Sequence, residues 1–218
     1  MSTPKIVNRI RASVSYRSQT VIKTLRLTKK IRKLRKEGVR SFKMVIGAAD
    51  THFEGWLSTD IQDLNILKTW YWKRNFKPGE INAILAEQVW EHFSEKDAKT
   101  AIRNCFAYLS DGGNLRIGVP DGFFPSQEYL DWVKPGGIGP GADDHKQLYN
   151  HITLTQQLEE AGFEVTLLEY WDQQGQFHKN PWDNTLGYIS RSAENDHRNK
   201  NGELKMTTLI VDAKKKLK

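Results

Sequence analysis

The 218-residue sequence predicts an α/β fold with a mainly parallel sheet that is covered by helices on both faces. Two observations predict this class. From Ser41 onward, short apolar runs alternate with helical stretches, which is the pattern of strand–helix–strand units. The chain length and a hydrophobic content of 38% suit one well-buried domain, and the chain is too short for two full domains.

The first 40 residues differ in charge from the rest of the chain. They hold 13 Lys or Arg residues and one acidic residue, Glu37, so they carry +12 of charge and leave −5 for the remainder of a total of +7. Residues 1–18 show no periodic apolar pattern, whereas residues 20–36 have the apolar spacing of an amphipathic helix. We therefore predict a basic N-terminal arm over residues 1–40 and an α/β domain over residues 41–218.

Three interpretations of the arm remain open. The helix could dock on the domain through its Leu and Ile side chains. Residues 1–37 could instead bind an anionic membrane surface, which attracts basic amphipathic helices. A contact with nucleic acid is the third interpretation and the least favoured of the three.

The helices and strands of the domain are predicted from apolar runs and from the turn and capping residues that separate them. Helices are predicted over residues 94–109 and 153–161, and Asp111, Gly112 and Gly113 predict a turn between the first of them and the next strand. Ser94 and Asp97 resemble a capping pair at the start of the first helix. Six strands are predicted, over residues 42–46, 56–61, 81–86, 115–119, 163–170 and 206–213.

Two segments fit no regular element and are predicted to be loop insertions. They cover residues 120–150 and 171–205, and both begin just after a predicted strand. In an open α/β sheet, ligands bind outside the carboxyl ends of the strands. Long irregular segments in a compact domain are usually functional, so both loops are expected to border a ligand.

Composition excludes several classes of function. The single cysteine, Cys105, lies in an apolar helical stretch and is expected in the core, which also rules out an internal disulfide framework. The six His residues are scattered and no Cys pair exists, so no metal site is predicted. Without an apolar run of about 18 residues or a secretory pattern at the N-terminus, a cytoplasmic location is expected, with peripheral membrane contact left open.

Small and polar residues follow three successive predicted strands. Gly47 and Ala49 follow the first strand, where a backbone can approach a ligand closely. Asp60 ends the second strand, and Glu87 and Gln88 follow the third. A cofactor with a ribose and an amino-acid tail needs such a tight turn, a carboxylate for the ribose hydroxyls and polar groups for the tail.

The stretches VIGAADTHFEGWLSTDI, INAILAEQVWEHFS and AYLSDGGNLRIGVPDG, in this order, resemble the class I S-adenosylmethionine-dependent methyltransferases. The segment DDHKQLYNHITLTQQLEEAGFEV is similar to the helix and strand near the end of that fold. The resemblance covers most of residues 42–213 and none of the arm. It implies a Rossmann-like sheet whose last strand is antiparallel.

The resemblance also implies the roles of individual residues toward S-adenosylmethionine. Gly47 and Ala49 would lie under the methionine part, and Asp60 would accept both ribose hydroxyls. Glu87 and Gln88 would border the cofactor beside the next strand. Two further side chains, Asn65 and Leu64, are candidates for placing the adenine. The sequence departs from the family at Ala49, where a second glycine is usual, and an alanine is tolerated there if its φ is negative.

Candidates for chemistry at the acceptor lie in the loop over residues 120–150. His145 is the best candidate for a general base, with the neighbouring Asp144 able to orient its ring. Asp121, at the start of the loop, would face the acceptor. For His92, a packing role is favoured over an acceptor contact.

The sequence therefore predicts methyl transfer from S-adenosylmethionine to a small-molecule or glycan-linked acceptor. A nicotinamide-dependent oxidoreductase is disfavoured because no G-x-G-x-x-G turn is present. A non-catalytic Rossmann-like binding protein, with a basic arm for membrane or RNA, is the remaining alternative. Because the recognisable motifs begin at Phe42, removal of residues 1–37 is expected to leave cofactor binding unchanged.

Overall fold

A computed structural model describes residues 3–217, with side chains from residue 19 onward. Within these residues the chain forms five α-helices and seven strands. The helices are α1 (Thr3–Lys36), α2 (Thr69–Asn75), α3 (Glu95–Tyr108), α4 (Gln127–Val133) and α5 (His151–Glu160). The strands are β1 (Phe42–Ile46), β2 (Trp56–Thr59), β3 (Ile81–Glu87), β4 (Leu109–Pro120), β5 (Phe163–Trp171), β6 (Phe177–Lys179) and β7 (Thr208–Lys215).

The strands form one sheet in the order β2-β1-β3-β4-β7-β5-β6. The pairs β1–β2, β1–β3 and β3–β4 are parallel, and β7 lies antiparallel between β4 and β5. β5 therefore runs in the same direction as β4, and β6 forms an antiparallel edge. The predicted Rossmann-like class, mainly parallel with an antiparallel last strand, is confirmed.

All six predicted strands are present, but several boundaries differ. β4 begins at Leu109, so the turn predicted at Asp111, Gly112 and Gly113 lies inside the strand as an irregularity where the pairing with β3 shifts register. α4 and β6 fall in the two predicted loop insertions. Both are too short to show a period in the sequence, and α4 buries two side chains, Tyr129 and Val133, spaced four residues apart.

The two faces of the sheet are covered differently. On one face, strand residues such as Met44 and Ile117 share a core with side chains of α1, α2, α3 and α5, among them the fully buried Cys105. On the other face, Leu85 and Ile210 pack against Ile189 of the 171–205 insertion. The second face thus has an irregular segment where the sequence predicted helices.

Arg116 holds this irregular segment on the sheet. The side chain is fully buried and forms a bidentate ion pair with Asp212 of the neighbouring strand, at 2.7 Å for both bonds. Its guanidinium also donates to the backbone oxygens of Asp183 and Gly187 and lies over the Trp182 ring. A buried arginine with all of these partners satisfies its donors and fixes the segment at one position.

The second half of α1 is part of the domain core. Leu27 and Ile31 are buried in the main cluster, and the Thr24 hydroxyl donates to the Gln62 oxygen at 3.0 Å. Arg35 makes a bidentate contact with Glu80, at 3.0 and 2.6 Å. The docked-helix interpretation describes this half of the arm.

The sequence predicted a helix over residues 20–36, and the described helix is longer. The helix begins at Thr3 although residues 1–18 lack an apolar period. The effect of removing residues 1–37 on cofactor binding stays a prediction, and because Leu27 and Ile31 are buried, this deletion would also take two side chains out of the core. Among the described residues, no helix has both the length and the apolar character to cross a membrane.

Candidate active site

A cavity of about 560 Å³ lies at the carboxyl ends of β1, β2 and β3. Because these neighbouring strands are parallel, their C-terminal residues meet at one edge of the sheet. We call this the cofactor-side cavity. Its lining includes Lys23 of α1 and the predicted residues Gly47, Asp60, Leu64, Asn65 and Gln88.

The turn after β1 needs a glycine at its first position. Gly47 has a φ of +63°, and a Cβ at this position would lie 2.5 Å from Cγ2 of Val89. A larger residue would therefore clash and also adopt an unfavourable backbone conformation. The absence of a side chain keeps this wall of the cavity open.

Ala49 is exposed and does not line the cofactor-side cavity. Its φ is +43°, which is the left-handed region and opposite in sign to the expectation for an alanine. This conformation costs a non-glycine residue about 1–2 kcal/mol. The Ala49 N–H donates to Oδ1 of Asp60 at 3.1 Å, so the strained residue positions the carboxylate that faces the cavity.

Asp60 and Asn65 have free polar atoms on the cavity wall. Oδ1 of Asp60 accepts from Ala49, and among the described residues nothing donates to its Oδ2. Oδ1 of Asn65 accepts from the Leu67 N–H at 3.0 Å, which leaves its amide nitrogen without an acceptor in the described part of the chain. Both side chains are thus held in place with one group available for a ligand.

Glu87 and Gln88 are separated by the fold. The Glu87 carboxylate accepts from the N–H groups of Ser190 and Arg191, at 3.1 and 2.7 Å, and does not line the cofactor-side cavity. Burial raises its pKa above the ordinary value. Gln88, with a φ of +55°, lines the cofactor-side cavity, so the placement favours a ligand contact for Gln88 and a loop-holding role for Glu87.

A second cavity, of about 350 Å³, adjoins the first. We call it the acceptor-side cavity. Gln88 and His92 line both cavities. The other walls come from the two loop insertions and the start of β7, and they include Tyr129, Trp132, His145, Arg191, Asp196 and Arg198.

The three residues predicted for catalysis lie at different depths. His145 lines the acceptor-side cavity, whereas Asp144 lines the cofactor-side cavity and pairs with Lys146 at 2.9 Å. Asp121 is fully buried and lines neither of the two cavities, and its carboxylate accepts from the N–H groups of Phe123 and Trp171. This placement favours a structural role for Asp121 rather than contact with an acceptor.

The hydrogen bonds of His145 define its tautomer. Nδ1 lies 2.6 Å from the Val133 carbonyl oxygen, so it must carry the proton, and Nε2 is left with a free lone pair. Burial lowers the pKa of His145 below its ordinary value, which keeps the ring neutral near pH 7. A neutral imidazole with a free nitrogen can accept a proton or bind a ligand.

Glu91 is a residue of this site that the sequence analysis missed. Its side chain lines the acceptor-side cavity and is 1% exposed, and neither carboxylate oxygen has a hydrogen-bond partner among the described residues. Burial raises the pKa of Glu91 to about 8. The available signal was a lone Glu between Trp90 and His92 just after a strand, which by itself is typical of a surface turn.

A sequence profile described as "Methyltransferase domain" matches residues 30–168, which is more than half of the chain. The chain belongs to this methyltransferase family. It is an S-adenosylmethionine-dependent enzyme, and no curated protein matches its sequence.

Two solved structures are similar to the methyltransferase in fold. A Thermotoga maritima protein described as a possible histamine N-methyltransferase aligns at 11% identity with a TM-score of 0.49, over 97% of each chain. An Archaeoglobus fulgidus S-adenosylmethionine-dependent methyltransferase aligns at 13% identity with a TM-score of 0.47, over 87% of this chain and 94% of its own. At these identities neither structure indicates the acceptor.

The geometry of the cofactor-side cavity fits the cofactor of the methyltransferase. Because a Cβ at Gly47 would collide with Val89, this wall of the cavity needs a glycine. The free oxygen of Asp60 is a suitable acceptor for a ribose hydroxyl. The position of both groups at the carboxyl ends of β1 and β2 is where a doubly wound sheet binds its ligands.

Proposed function

We propose that the enzyme transfers a methyl group to a hydroxyl of a small-molecule or glycan-linked acceptor bound in the acceptor-side cavity. The observation that carries this proposal is the meeting of the two cavities at Gln88 and His92, which line both of them. A donor in one cavity and an acceptor in the other would face each other there. Holding the two reactants in line supplies much of the rate of such a transfer.

On the cofactor side, the free oxygen of Asp60 accepts the ribose hydroxyls, and Asn65 and Gln88 offer further polar groups. Gly47 lets the backbone approach the methionine part. The bound cofactor supplies a sulfonium whose methyl group is already activated. The enzyme therefore has to position the acceptor oxygen and remove its proton.

On the acceptor side, the lining suits a polar, hydroxylated molecule. Trp132 offers an aromatic surface that is 40% exposed, and the side chain of Arg191 makes no hydrogen bond or ion pair within the described residues. His145 receives the hydroxyl proton at Nε2. With the cofactor bound, the acceptor oxygen would form its bond to the methyl carbon as the carbon–sulfur bond breaks, and S-adenosylhomocysteine would leave.

The test uses S-adenosylmethionine labelled with tritium in the methyl group, incubated with the full-length enzyme and a fractionated cell extract. We expect label in the small-molecule or glycolipid fraction. His145→Ala should reduce that label about 10²–10⁴-fold, the range for loss of a general base. The same variant should keep its affinity for S-adenosylhomocysteine. Label confined to protein or nucleic acid would contradict the proposed acceptor class.

We also propose that the outer face of α1 touches an anionic membrane surface. Val21, Ile22 and Leu25 are 59%, 48% and 42% exposed and lie among basic residues. Such a surface combines apolar insertion with attraction to anionic lipid. Removal of residues 1–18 deletes four basic residues and should weaken binding by about 1 kcal/mol for each one near the surface.

Co-sedimentation with phosphatidylserine-containing vesicles at low and high salt measures the membrane contact, with neutral vesicles as the control. Salt-sensitive binding by the full chain is the expected result. Equal sedimentation of the full chain and the shortened chain would contradict the proposal.

A further inference from the structure

We propose that Glu91, His92 and His145 bind one divalent transition-metal ion at the wall of the acceptor-side cavity. The three residues come from two segments that are far apart in the sequence. Each offers one ligand atom, and these atoms lie within 4.8 Å of one another. The rings of His92 and His145 meet edge to face, with their centroids 4.9 Å apart.

The carboxylate of Glu91 is the strongest indication of a missing cation. It is 1% exposed and both of its oxygens lack a hydrogen-bond partner among the described residues. Ionising a buried carboxyl group that has no hydrogen-bond partner costs several kcal/mol, and Arg191 interacts with Glu91 only through space. A cation between Glu91 and the two imidazoles would give it that partner.

His145 is oriented as a metal-ligating histidine usually is, whereas His92 has one ring nitrogen that is buried without a hydrogen-bond partner in the described part of the chain. His145 donates its Nδ1–H to the Val133 carbonyl, which fixes the ring and leaves Nε2 free. His92 Nδ1 lies 3.4 Å from Oδ2 of Asp144, an approach too poor for a hydrogen bond, and this nitrogen has no other partner among the described residues. Ligating histidines commonly use their second nitrogen to bind a backbone carbonyl or a carboxylate.

The backbone holds the two segments together at this point. Glu91 lies in a short 3-10 turn, Trp90–His92, directly after β3. Its carbonyl oxygen accepts from the N–H groups of Lys146 and Gln147, at 2.7 and 3.2 Å. His145 is therefore fixed beside Glu91 without any ion, so the site is built by the fold.

The ligand set identifies the class of ion. Two imidazoles and one carboxylate suit Zn²⁺, Co²⁺, Mn²⁺ or Fe²⁺ better than the oxygen-preferring Ca²⁺. Modest side-chain rotations would close the 4.8 Å spread to about 3.3 Å, the ligand separation around a tetrahedral zinc ion. Three protein ligands leave a coordination position open, as catalytic zinc sites do.

The role of the ion rests on the proposed function, whereas its binding does not. With the ion in place, an acceptor hydroxyl at the open position would lose its proton more readily. The ion would polarise the O–H bond, and the proton would pass to a solvent water molecule instead of to His145. The same substitution, His145→Ala, lowers turnover in both cases, so a readout other than activity is needed.

The test is a calorimetric titration of tag-free, chelator-treated full-length protein with Zn²⁺, repeated with Co²⁺ while the visible absorption is recorded. We expect one equivalent to bind. Glu91→Gln and His145→Gln should each weaken Zn²⁺ binding by more than about 100-fold, beyond the 10–100-fold effect of an outer-shell partner. His197→Asn is the matched control, because the His197 side chain is 91% exposed and lies outside the cluster.

Binding of S-adenosylhomocysteine, measured on the same samples, separates the two proposals. Wild-type protein that binds S-adenosylhomocysteine but not Zn²⁺ would overturn the metal site and leave the proposed function intact. Zn²⁺ binding that is equal in wild type, His145→Gln and the His197→Asn control would also overturn it. If Glu91→Gln does not fold, the more exposed His145→Gln carries the comparison.

Discussion

Gly47 and Ala49 illustrate how single backbone positions create the cofactor-side cavity. Both have a positive φ, +63° and +43°, within a turn that also holds the Asp60 carboxylate. Only Gly47 faces a neighbour that would collide with a side chain. The backbone of the turn is therefore strained at Ala49, and at Gly47 the turn has no room for a side chain.

We predict that Gly47→Ala lowers both the stability of the enzyme and its affinity for S-adenosylhomocysteine. The added Cβ would lie 2.5 Å from Val89 and would add an overpacking cost of about 1–3 kcal/mol to the backbone strain. Gly79→Ala is the matched control, because Gly79 has a φ of +77° and no atom within 4 Å of a built Cβ. Urea unfolding and calorimetry should show the larger loss at Gly47, and equal losses would refute the steric argument.

Asp121 makes a pH-dependent contribution to stability. Burial raises its pKa to about 6, from an ordinary value near 4, so the folded state holds the proton more tightly than the unfolded chain. The protonated Asp121 side chain therefore stabilises the folded state fully below pH 4, and this contribution is lost as the pH rises to about 6. A shift of two units corresponds to about 3 kcal/mol.

The test compares the free energy of unfolding of the wild type with that of Asp121→Asn, whose amide cannot titrate. Between pH 4 and pH 6, the free energy of unfolding of the wild type should fall relative to the variant by about 3 kcal/mol and then stay level. Urea unfolding at unit pH steps gives this difference. A difference that is constant from pH 4 to pH 7 would contradict the buried position of the carboxylate.

At the scale of elements, α1 combines a half that packs in the core with an outer face that remains exposed. Ile31 is 1% exposed, whereas Ile22 on the same helix is 48% exposed. We predict that Ile31→Ala destabilises the enzyme by about 2–5 kcal/mol, the usual cost of truncating a buried aliphatic side chain. Ile22→Ala should change stability by less than about 0.5 kcal/mol. Similar effects of both, in thermal or urea unfolding, would show that α1 is not docked as described.

The strands were predictable from the sequence because each is a short apolar run with a clear end. The 182–189 segment was not predictable, since its place on the sheet depends on the buried side chain of Arg116 and its partners on other elements. The bulge inside β4 was also missed. Glycines that usually signal a turn are accommodated there by a shift of register against β3.

At the scale of the whole molecule, the fold brings two cavities together at one edge of the sheet. Gly47, Asp60 and Gln88 could be placed there from the sequence, because each directly follows a strand with its own apolar signal. Glu91 and His145 could not be paired in advance, since only backbone hydrogen bonds between distant segments join them. The division of the chain at residue 40 stays a prediction.

The central claim is that the enzyme binds S-adenosylmethionine through Asp60 at the carboxyl end of β2. The most direct test is calorimetric titration of S-adenosylmethionine into wild type, Asp60→Ala and the distant control Asp111→Ala. We predict that Asp60→Ala weakens binding by about 1.5–3 kcal/mol, or about 10- to 150-fold, as expected for hydrogen bonds to a charged group, and that Asp111→Ala leaves the affinity unchanged. No binding by the wild type, or equal affinity in all three proteins, would contradict the claim.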